Sequence, residues 1–182
     1  MAKRNTTKYK SNIQEKKVAK DLNAKVTVAS GALSFQKADV RNDVFLVECK
    51  ITSKDFYSLT EKTWSRIEKQ ALMDGMRIPL MCIGVKDGVH TFAVLNYLDF
   101  RLLELDLKAQ YLGNTEPKLV DKSSYRITTK FIGEPFPQEL VQGHYPCYRE
   151  DIKFLNSNKH LVILPWEDFL VIKGEDIEIT NY

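Results

Sequence analysis

The chain has 182 residues, of which 43% are hydrophobic and 10% aromatic, as is typical of a globular domain with its own core. A net charge of +3 is too small to indicate a partner by itself. No apolar run approaches 18 residues, so we expect no membrane span, no signal peptide and a cytoplasmic location. The three cysteines are Cys49, Cys82 and Cys147, and without a CxxC pair they predict reduced core residues rather than disulfides or a zinc site.

The first half of the chain predicts alternating helices and strands. Ser11 is a candidate N-cap for a helix that runs to about Leu22, after a flexible arm at 1–10. The elements predicted next are a strand at 25–28, a hairpin at 35–51, a helix at 57–74, a strand at 78–85, a returning strand at 89–95 and a short helix at 97–107. Asp87-Gly88 predicts the turn between the two later strands. Trp64 falls on the apolar face of the long helix, so we expect it in the core.

The second half is less regular. It predicts a strand at 125–132, a loop at 133–137 and a strand at 161–164. We therefore divide the chain into a basic arm, a main core and a C-terminal extension packed on that core as a dimer or substrate surface. Their ranges are 1–10, 11–110 and 111–182.

The most informative motif lies in the predicted hairpin. Glu48-Cys49-Lys50 ends the apolar run Phe45-Leu46-Val47, and alternation along a strand points Glu48 and Lys50 to the same face, about 7 Å apart. Asp39 precedes the turn-like Arg41-Asn42-Asp43, so a hairpin can bring it beside Glu48. Charges at a strand end are also common in salt bridges and solvated edges, and the triplet alone does not separate these cases from catalysis.

Two converging carboxylates suit Mg²⁺ or Mn²⁺, which prefer oxygen ligands. A bound metal polarises a phosphodiester and lowers the pKa of bound water, and a nearby lysine orients that water or stabilises charge on the phosphorus. These are the components of a metal-dependent phosphodiesterase.

With its neighbours, the motif resembles the PD-(D/E)xK nuclease superfamily, and within it the Holliday junction resolvases of archaeal and phage type. The likeness covers about Asn12 to Val85. In order, the matching pieces are the helix segment 14–19 with its acid, the Ser-Gly turn at 30–31, the segments 37–43 and 45–50, a helix with Trp64, Ile67 and Gln70, and the strand at 79–83. One departure is that Ala38, not proline, precedes Asp39.

The resemblance implies an α/β fold with a restriction-endonuclease-like core, in which helices flank a central mixed β-sheet. It implies Asp39 and Glu48 as metal ligands and Lys50 as the catalytic lysine. It further implies Glu15 as a supporting acid of the metal site, Ser30 as a hydroxyl near the scissile phosphate and Gln70 as a polar neighbour of the site. Cutting a junction takes two paired incisions, so the resemblance also implies a homodimer, acting in the host cytoplasm if the protein is phage-encoded.

Basic residues at the N-terminus predict contact with DNA phosphates. Residues 1–20 hold seven Lys or Arg against one Glu, a net charge of +6 against +3 for the whole chain. The candidate DNA-binding residues are Lys3, Arg4, Lys8, Lys10, Lys16 and Lys17.

The expected function is therefore a Mg²⁺- or Mn²⁺-dependent endonuclease that cuts branched DNA. Two alternatives stay open. One is a restriction, repair or nicking nuclease of the same superfamily acting on duplex DNA. The other is a non-catalytic DNA-binding protein that keeps the fold.

Overall fold

Eight strands form one mixed sheet at the centre of the part of the protein that the computed structural model describes, residues 6–27, 38–112, 116–129 and 145–174. The helices are α1 (Thr7–Asp21), α2 (Glu61–Met73), α3 (Tyr97–Leu102), α4 (Leu105–Lys108) and α5 (Trp166–Lys173). The strands are β1 (Lys25–Val26), β2 (Val40–Arg41), β3 (Phe45–Ile51), β4 (Phe56–Thr60), β5 (Ile78–Val85), β6 (His90–Asn96), β7 (Ala109–Leu112), β8 (Lys118–Val120), β9 (Ser124–Thr128), β10 (Tyr145–Tyr148), β11 (Glu150–Phe154) and β12 (Lys159–Pro165).

The strand order in the central sheet is β1-β2-β3-β5-β6-β12-β11-β8. The β3/β5 and β11/β8 pairs are parallel, and the other neighbouring pairs of this sheet are antiparallel. Two further pairs, β4 with β9 and β7 with β10, stand apart from it as short ribbons. The protein is therefore an α/β protein with a large mixed central sheet flanked by helices, which confirms this part of the expected fold.

Each face of the sheet buries its own core, because side chains alternate along every strand. On one face, Phe45, Val47 and Cys49 of β3 join the cluster that includes α1 and α5. On the other face, inner residues of β5 and β6 pack against α2, where Trp64 and Ile67 are fully buried. The prediction that Trp64 belongs to the core is confirmed, and all three cysteines are buried and free.

The β2–β3 hairpin is fixed by Asn42, whose short polar side chain suits a tight turn. Its Oδ1 accepts hydrogen bonds from the backbone N–H groups of Val44 and Phe45 at 2.9 and 2.7 Å. Its Nδ2 donates to the carbonyl of Leu22 at 2.9 Å, which ties the turn to the end of α1. The predicted hairpin is confirmed over its described part.

Helix α1 begins earlier than expected. Thr6, not Ser11, is the N-cap, and Lys8 and Lys10 lie in the helix rather than in a flexible arm. Ser11 instead donates to Glu15 one turn later, at 2.9 Å. The helix therefore begins one turn earlier than predicted, where the hydroxyl of Thr6 accepts from the N–H of Tyr9.

The long helix predicted at 57–74 is wrong at its start. Residues Phe56–Thr60 form β4, which pairs with β9 more than sixty residues away. Thr60 then caps α2 by accepting from the N–H of Thr63 at 3.0 Å. The spacing of Leu59 fitted the apolar face of a helix, but Leu59 is buried as part of β4. Local spacing could not reveal this, because it carries no information about a distant partner strand.

The strands predicted at 78–85 and 89–95 are confirmed, with Asp87 and Gly88 at positive φ in the turn between them. The short helix at 97–107 is two pieces, because Glu104 adopts a left-handed conformation between them. Of the strand predicted at 125–132, the structure describes β9, which ends at Thr128. The loop at 133–137 lies outside the described residues.

Three strands of the central sheet come from the segment that we expected to pack on the core as an extension. The strand predicted at 161–164 is β12, and it lies inside the sheet, between β6 and β11. The segment thus completes the main sheet. Among the described residues, no helix has both the length and the apolar character needed to cross a membrane.

Candidate active site

The β2–β3 hairpin places Asp39 directly opposite Glu48. Val40 pairs with Val47, and the N–H of Asp39 donates to the carbonyl of Val47 at 3.0 Å. Asp39 Oδ2 accepts a hydrogen bond from the N–H of Cys49 at 2.7 Å. The hairpin register, rather than a flexible side chain, therefore fixes the first carboxylate against the second.

Glu48 is almost fully buried and has two cationic partners. Lys50 Nζ lies 2.5 Å and an Arg66 guanidinium nitrogen 2.6 Å from the same oxygen, Oε1. The Glu48 side chain is 6% exposed, whereas that of Arg66 is 57% exposed. A buried carboxylate needs such partners, because an uncompensated charge is costly in the interior. Glu48 and Lys50 point to one face, as the alternation predicted.

The surroundings of Asp39 raise its pKa. The pKa of Asp39 is raised from 3.8 to about 6, chiefly by burial and in addition by the charges of Glu48 and Glu15. The hydrogen bond from Cys49 and the charge of Lys50 act in the opposite direction. Glu48 and Glu15 therefore both lie within electrostatic reach of Asp39.

Helix α1 brings Glu15 to the site and is anchored by the neighbouring Gln14. Gln14 is 8% exposed, and its Nε2 donates to the carbonyls of Lys50 and Cys82 at 3.2 and 3.3 Å. These carbonyls belong to adjacent parallel strands, so Gln14 fixes α1 against the strands that carry the site. Glu15 acts on Asp39 through its charge.

Gln70 lies on α2, one turn beyond Arg66, and is half-buried. Its Oε1 is enclosed and has no hydrogen-bond partner among the described residues. On this helix it is thus Arg66, and not Gln70, that the structure brings into contact with Glu48. Ser30 lies outside the described residues.

The candidate DNA-binding lysines of α1 fall into two pairs. Lys10 forms an ion pair with Asp87 at 2.7 Å, and Lys17 forms one with Glu167 at 3.1 Å. Lys8 and Lys16 are exposed. Lys3 and Arg4 lie outside the described residues.

Sequence reasoning missed two residues at the site. Arg66 could have been found from helical spacing, since it lies four residues before Gln70 and shares its face of α2. Tyr57 was concealed because we assigned it to a helix. Burial raises the pKa of Tyr57, which also feels the charges of Lys50, Glu48 and Arg66, so β4 borders the site.

The carboxylates of this site suit a hard divalent cation. Hydrogen bonds within the described residues use one oxygen of each, Oδ2 of Asp39 and Oε1 of Glu48. In this part of the chain, no group of three or more His, Cys, Asp and Glu side chains could hold a metal ion. Mg²⁺ is commonly bound by one or two carboxylates and completes its shell with water and substrate phosphates. The two carboxylates therefore suit Mg²⁺ or Mn²⁺ where other oxygen ligands complete the shell.

Comparison of the chain with protein-family models, with curated proteins and with solved structures gives no match. The fold and the site thus define its class by themselves: an α/β protein with a mixed central sheet and an Asp-Glu-Lys cluster on one hairpin.

Proposed function

We propose that this protein is a Mg²⁺- or Mn²⁺-dependent DNA endonuclease with a restriction-endonuclease-like core, and that it cuts branched DNA such as a Holliday junction. The observation that carries the proposal is the β2–β3 hairpin, which sets Asp39 against Glu48 with Lys50 beside it. The order of an acid on α1, the hairpin triad and then a helix supports it, as does the parallel β3/β5 pair beneath them.

Asp39 and Glu48 would hold the metal, with Glu15 adding negative charge close by. When bound, the metal supplies Lewis acidity that polarises the phosphodiester and lowers the pKa of water. Lys50 orients the attacking water and stabilises the charge that develops on the phosphate oxygens. Ser30 and Gln70 would contact the scissile phosphate or its neighbours.

Arg66 shares Glu48 with Lys50, and its exposed guanidinium can turn to a new anion. When Glu48 serves as a ligand, its charge is no longer available to both cations. A scissile phosphate is the natural replacement, because guanidinium binds phosphate oxygens with paired N–H groups. We therefore add Arg66 to the catalytic residues.

Cleavage of a synthetic four-way junction tests the proposal. The junction and a linear duplex of matched sequence are incubated with protein in Mg²⁺, with and without EDTA. We expect metal-dependent cutting that favours the junction. Equal cutting of both substrates would instead indicate a restriction, repair or nicking nuclease, and binding without cutting would indicate a non-catalytic DNA-binding protein.

Lys50→Ala is the decisive variant. We expect its cleavage rate to fall by about 10²-fold or more with little change in junction affinity, because the ammonium acts on the reacting phosphate. Lys108→Ala is the control, since Lys108 is an exposed lysine at the end of α4. A Lys50→Ala protein that cuts at the wild-type rate would refute the assignment.

Resolving a junction takes two cuts, so we propose a homodimer with one site per protomer. Light scattering at micromolar concentration should give twice the mass of one chain. A monomer that still makes paired cuts would contradict this part of the proposal.

A further inference from the structure

A cleft of about 450 Å³ opens beside the β4–β9 ribbon. Its lining includes two cations, two aromatic rings, a hydroxyl and an acid: Lys118, Arg126, Phe56, Tyr125, Thr129 and Asp55. Its volume is in the range of small-ligand sites. None of these residues belongs to the hairpin site.

The cations near Phe56 are held by the aromatic ring. The guanidinium carbon of Arg126 lies 4.7 Å and Lys54 Nζ lies 5.5 Å from the ring centroid. Within the described residues, neither cation forms an ion pair with a carboxylate. A cation–π contact orients a charge without neutralising it, so the N–H groups of Arg126 remain available to an anion.

Two lining residues, Tyr125 and Lys118, are held by Glu150, which is 4% exposed. Its Oε1 accepts from the Tyr125 hydroxyl at 2.6 Å and from Lys118 Nζ. Burial and the bond to Glu150 raise the pKa of Tyr125, which keeps its hydroxyl a proton donor. Tyr125 is therefore a rigid aromatic wall, and Lys118 is largely neutralised.

The charge balance selects the class of ligand. A groove that follows a duplex backbone needs several uncompensated cations, whereas here Lys118 is paired with Glu150, and the acid Asp55 lines the same cleft as Arg126. The cleft offers one cation for a phosphate, aromatic rings for a base, and an acid for the amino groups of that base. A single nucleotide provides this combination.

The cleft and the active site share one strand. Tyr57, which feels the charges of Lys50, Glu48 and Arg66, directly follows Phe56 on β4. Adjacent residues of a strand point to opposite faces, so β4 presents one side chain toward each site. A nucleotide in the cleft would thus belong to DNA near the scissile phosphate.

We propose that this cleft binds one unpaired nucleotide of the DNA substrate, with its phosphate on Arg126 and its base against Phe56 and Tyr125. This inference rests on the proposed function, since it assigns the cleft to the same DNA. It identifies the substrate feature that is recognised: an unpaired base beside the cut.

Binding by fluorescence anisotropy, in Ca²⁺ to suppress cutting, tests the inference. The ligands are a duplex with one unpaired deoxyadenosine, the same duplex fully paired, and free deoxyadenosine monophosphate. The variants are Phe56→Leu and Arg126→Gln, with Phe56→Tyr as the conservative exchange. Arg101→Gln is the control, because Arg101 is an exposed arginine on α3 that pairs with Asp106.

We expect wild type to prefer the unpaired nucleotide, and Phe56→Leu and Arg126→Gln each to weaken that binding about tenfold while paired duplex changes less than about twofold. Phe56→Tyr and Arg101→Gln should bind as wild type does. The inference would be overturned if Phe56→Leu and Arg126→Gln lost affinity equally for both duplexes or lost none. It would also be overturned if the free nucleotide bound as tightly as DNA. Because this readout needs no cleavage, a failure of the nuclease proposal appears separately, as an uncut junction in Mg²⁺.

Discussion

Glu48 forms ion pairs that would compete with the proposed metal ion. Lys50 and Arg66 contact the same oxygen, at 2.5 and 2.6 Å, so a divalent cation must take over a carboxylate that two cations already stabilise. Arg66 is the more exposed of the two and loses less by leaving. The ion pair with Arg66 should therefore lower metal affinity before DNA arrives and aid phosphate binding afterwards.

Replacing Arg66 separates these effects. Arg66→Ala should bind Mn²⁺ more tightly, because one competitor for Glu48 is gone, yet cut the junction about 10- to 100-fold more slowly, because one phosphate donor is gone. Calorimetric titration measures the Mn²⁺ affinity, and single-turnover kinetics measure the rate of junction cleavage. If both quantities match wild type, Arg66 is only a surface ion pair.

The raised pKa of Asp39 predicts how stability depends on pH. The native state keeps the Asp39 proton up to about pH 6, while the unfolded chain loses it near its ordinary value of 3.8. The native state therefore binds more protons across this window, and the contribution of Asp39 to stability is present at low pH and is lost as pH rises through about 6. Glu48 and Glu15 strengthen this effect, and Lys50 and the Cys49 N–H oppose it.

Asp39→Asn should consequently be more stable than wild type at pH 8 in EDTA, by about 1–2 kcal/mol or a few degrees in melting temperature. The difference should vanish below about pH 4, where both side chains are neutral. Mg²⁺ should stabilise wild type but not the variant. Asp43→Asn, in the exposed turn of the same hairpin, is the control. A variant less stable than wild type at pH 8 would contradict the prediction.

Helix α1 presents its lysines unequally. Lys10 and Lys17 are paired with Asp87 and Glu167, whereas Lys8 and Lys16 are exposed. A DNA phosphate must compete with Asp87 for Lys10 and with Glu167 for Lys17. We therefore expect Lys8 and Lys16 to make most of the DNA contact predicted from the charge of residues 1–20.

Two double variants test this division. Replacing Lys8 and Lys16 with Ala should reduce the slope of log K against log salt by about 1.8 for junction binding, at about 0.9 per lost contact. Replacing Lys10 and Lys17 removes the same formal charge but should change the slope less. Binding across a salt series in Ca²⁺ gives both slopes. Equal slopes would show that the ion pairs do not restrict these lysines.

The elements predicted best were those with strong local patterns. The strand at 78–85 has an almost continuous apolar run, and the hairpin turn has Asn42, whose chemistry specifies it. Those predicted worst depend on distant partners. β4 was missed because its identity comes from β9, and Arg66 was missed because its partner Glu48 lies on another element. The Asp39–Glu48–Lys50 arrangement was accessible because a single hairpin holds all of it.

At the scale of the whole molecule, the central sheet joins the two halves of the chain. β12 pairs with β6 on one side and β11 on the other, so strands from the second half lie in the interior of the sheet. One cluster contains both Leu80 of β5 and Leu164 of β12, each fully buried. A boundary near residue 110 would therefore divide a single core, and the first half should not fold alone.

A matched pair of core variants tests this unity without truncating the chain. Leu80→Ala lies in the expected nuclease core and Leu164→Ala in the expected extension, and each should lower the free energy of unfolding by about 2–5 kcal/mol, because each leaves a cavity in the same cluster. Urea denaturation followed by tryptophan fluorescence and by circular dichroism should give one coincident transition for both proteins. The two tryptophans report on opposite faces of the sheet, Trp64 on the α2 side and Trp166 on the α5 side. If Leu164→Ala produced a separate early transition while the Trp64 side stayed intact, the second half would be an independent unit, and the expected core would end near residue 110 after all.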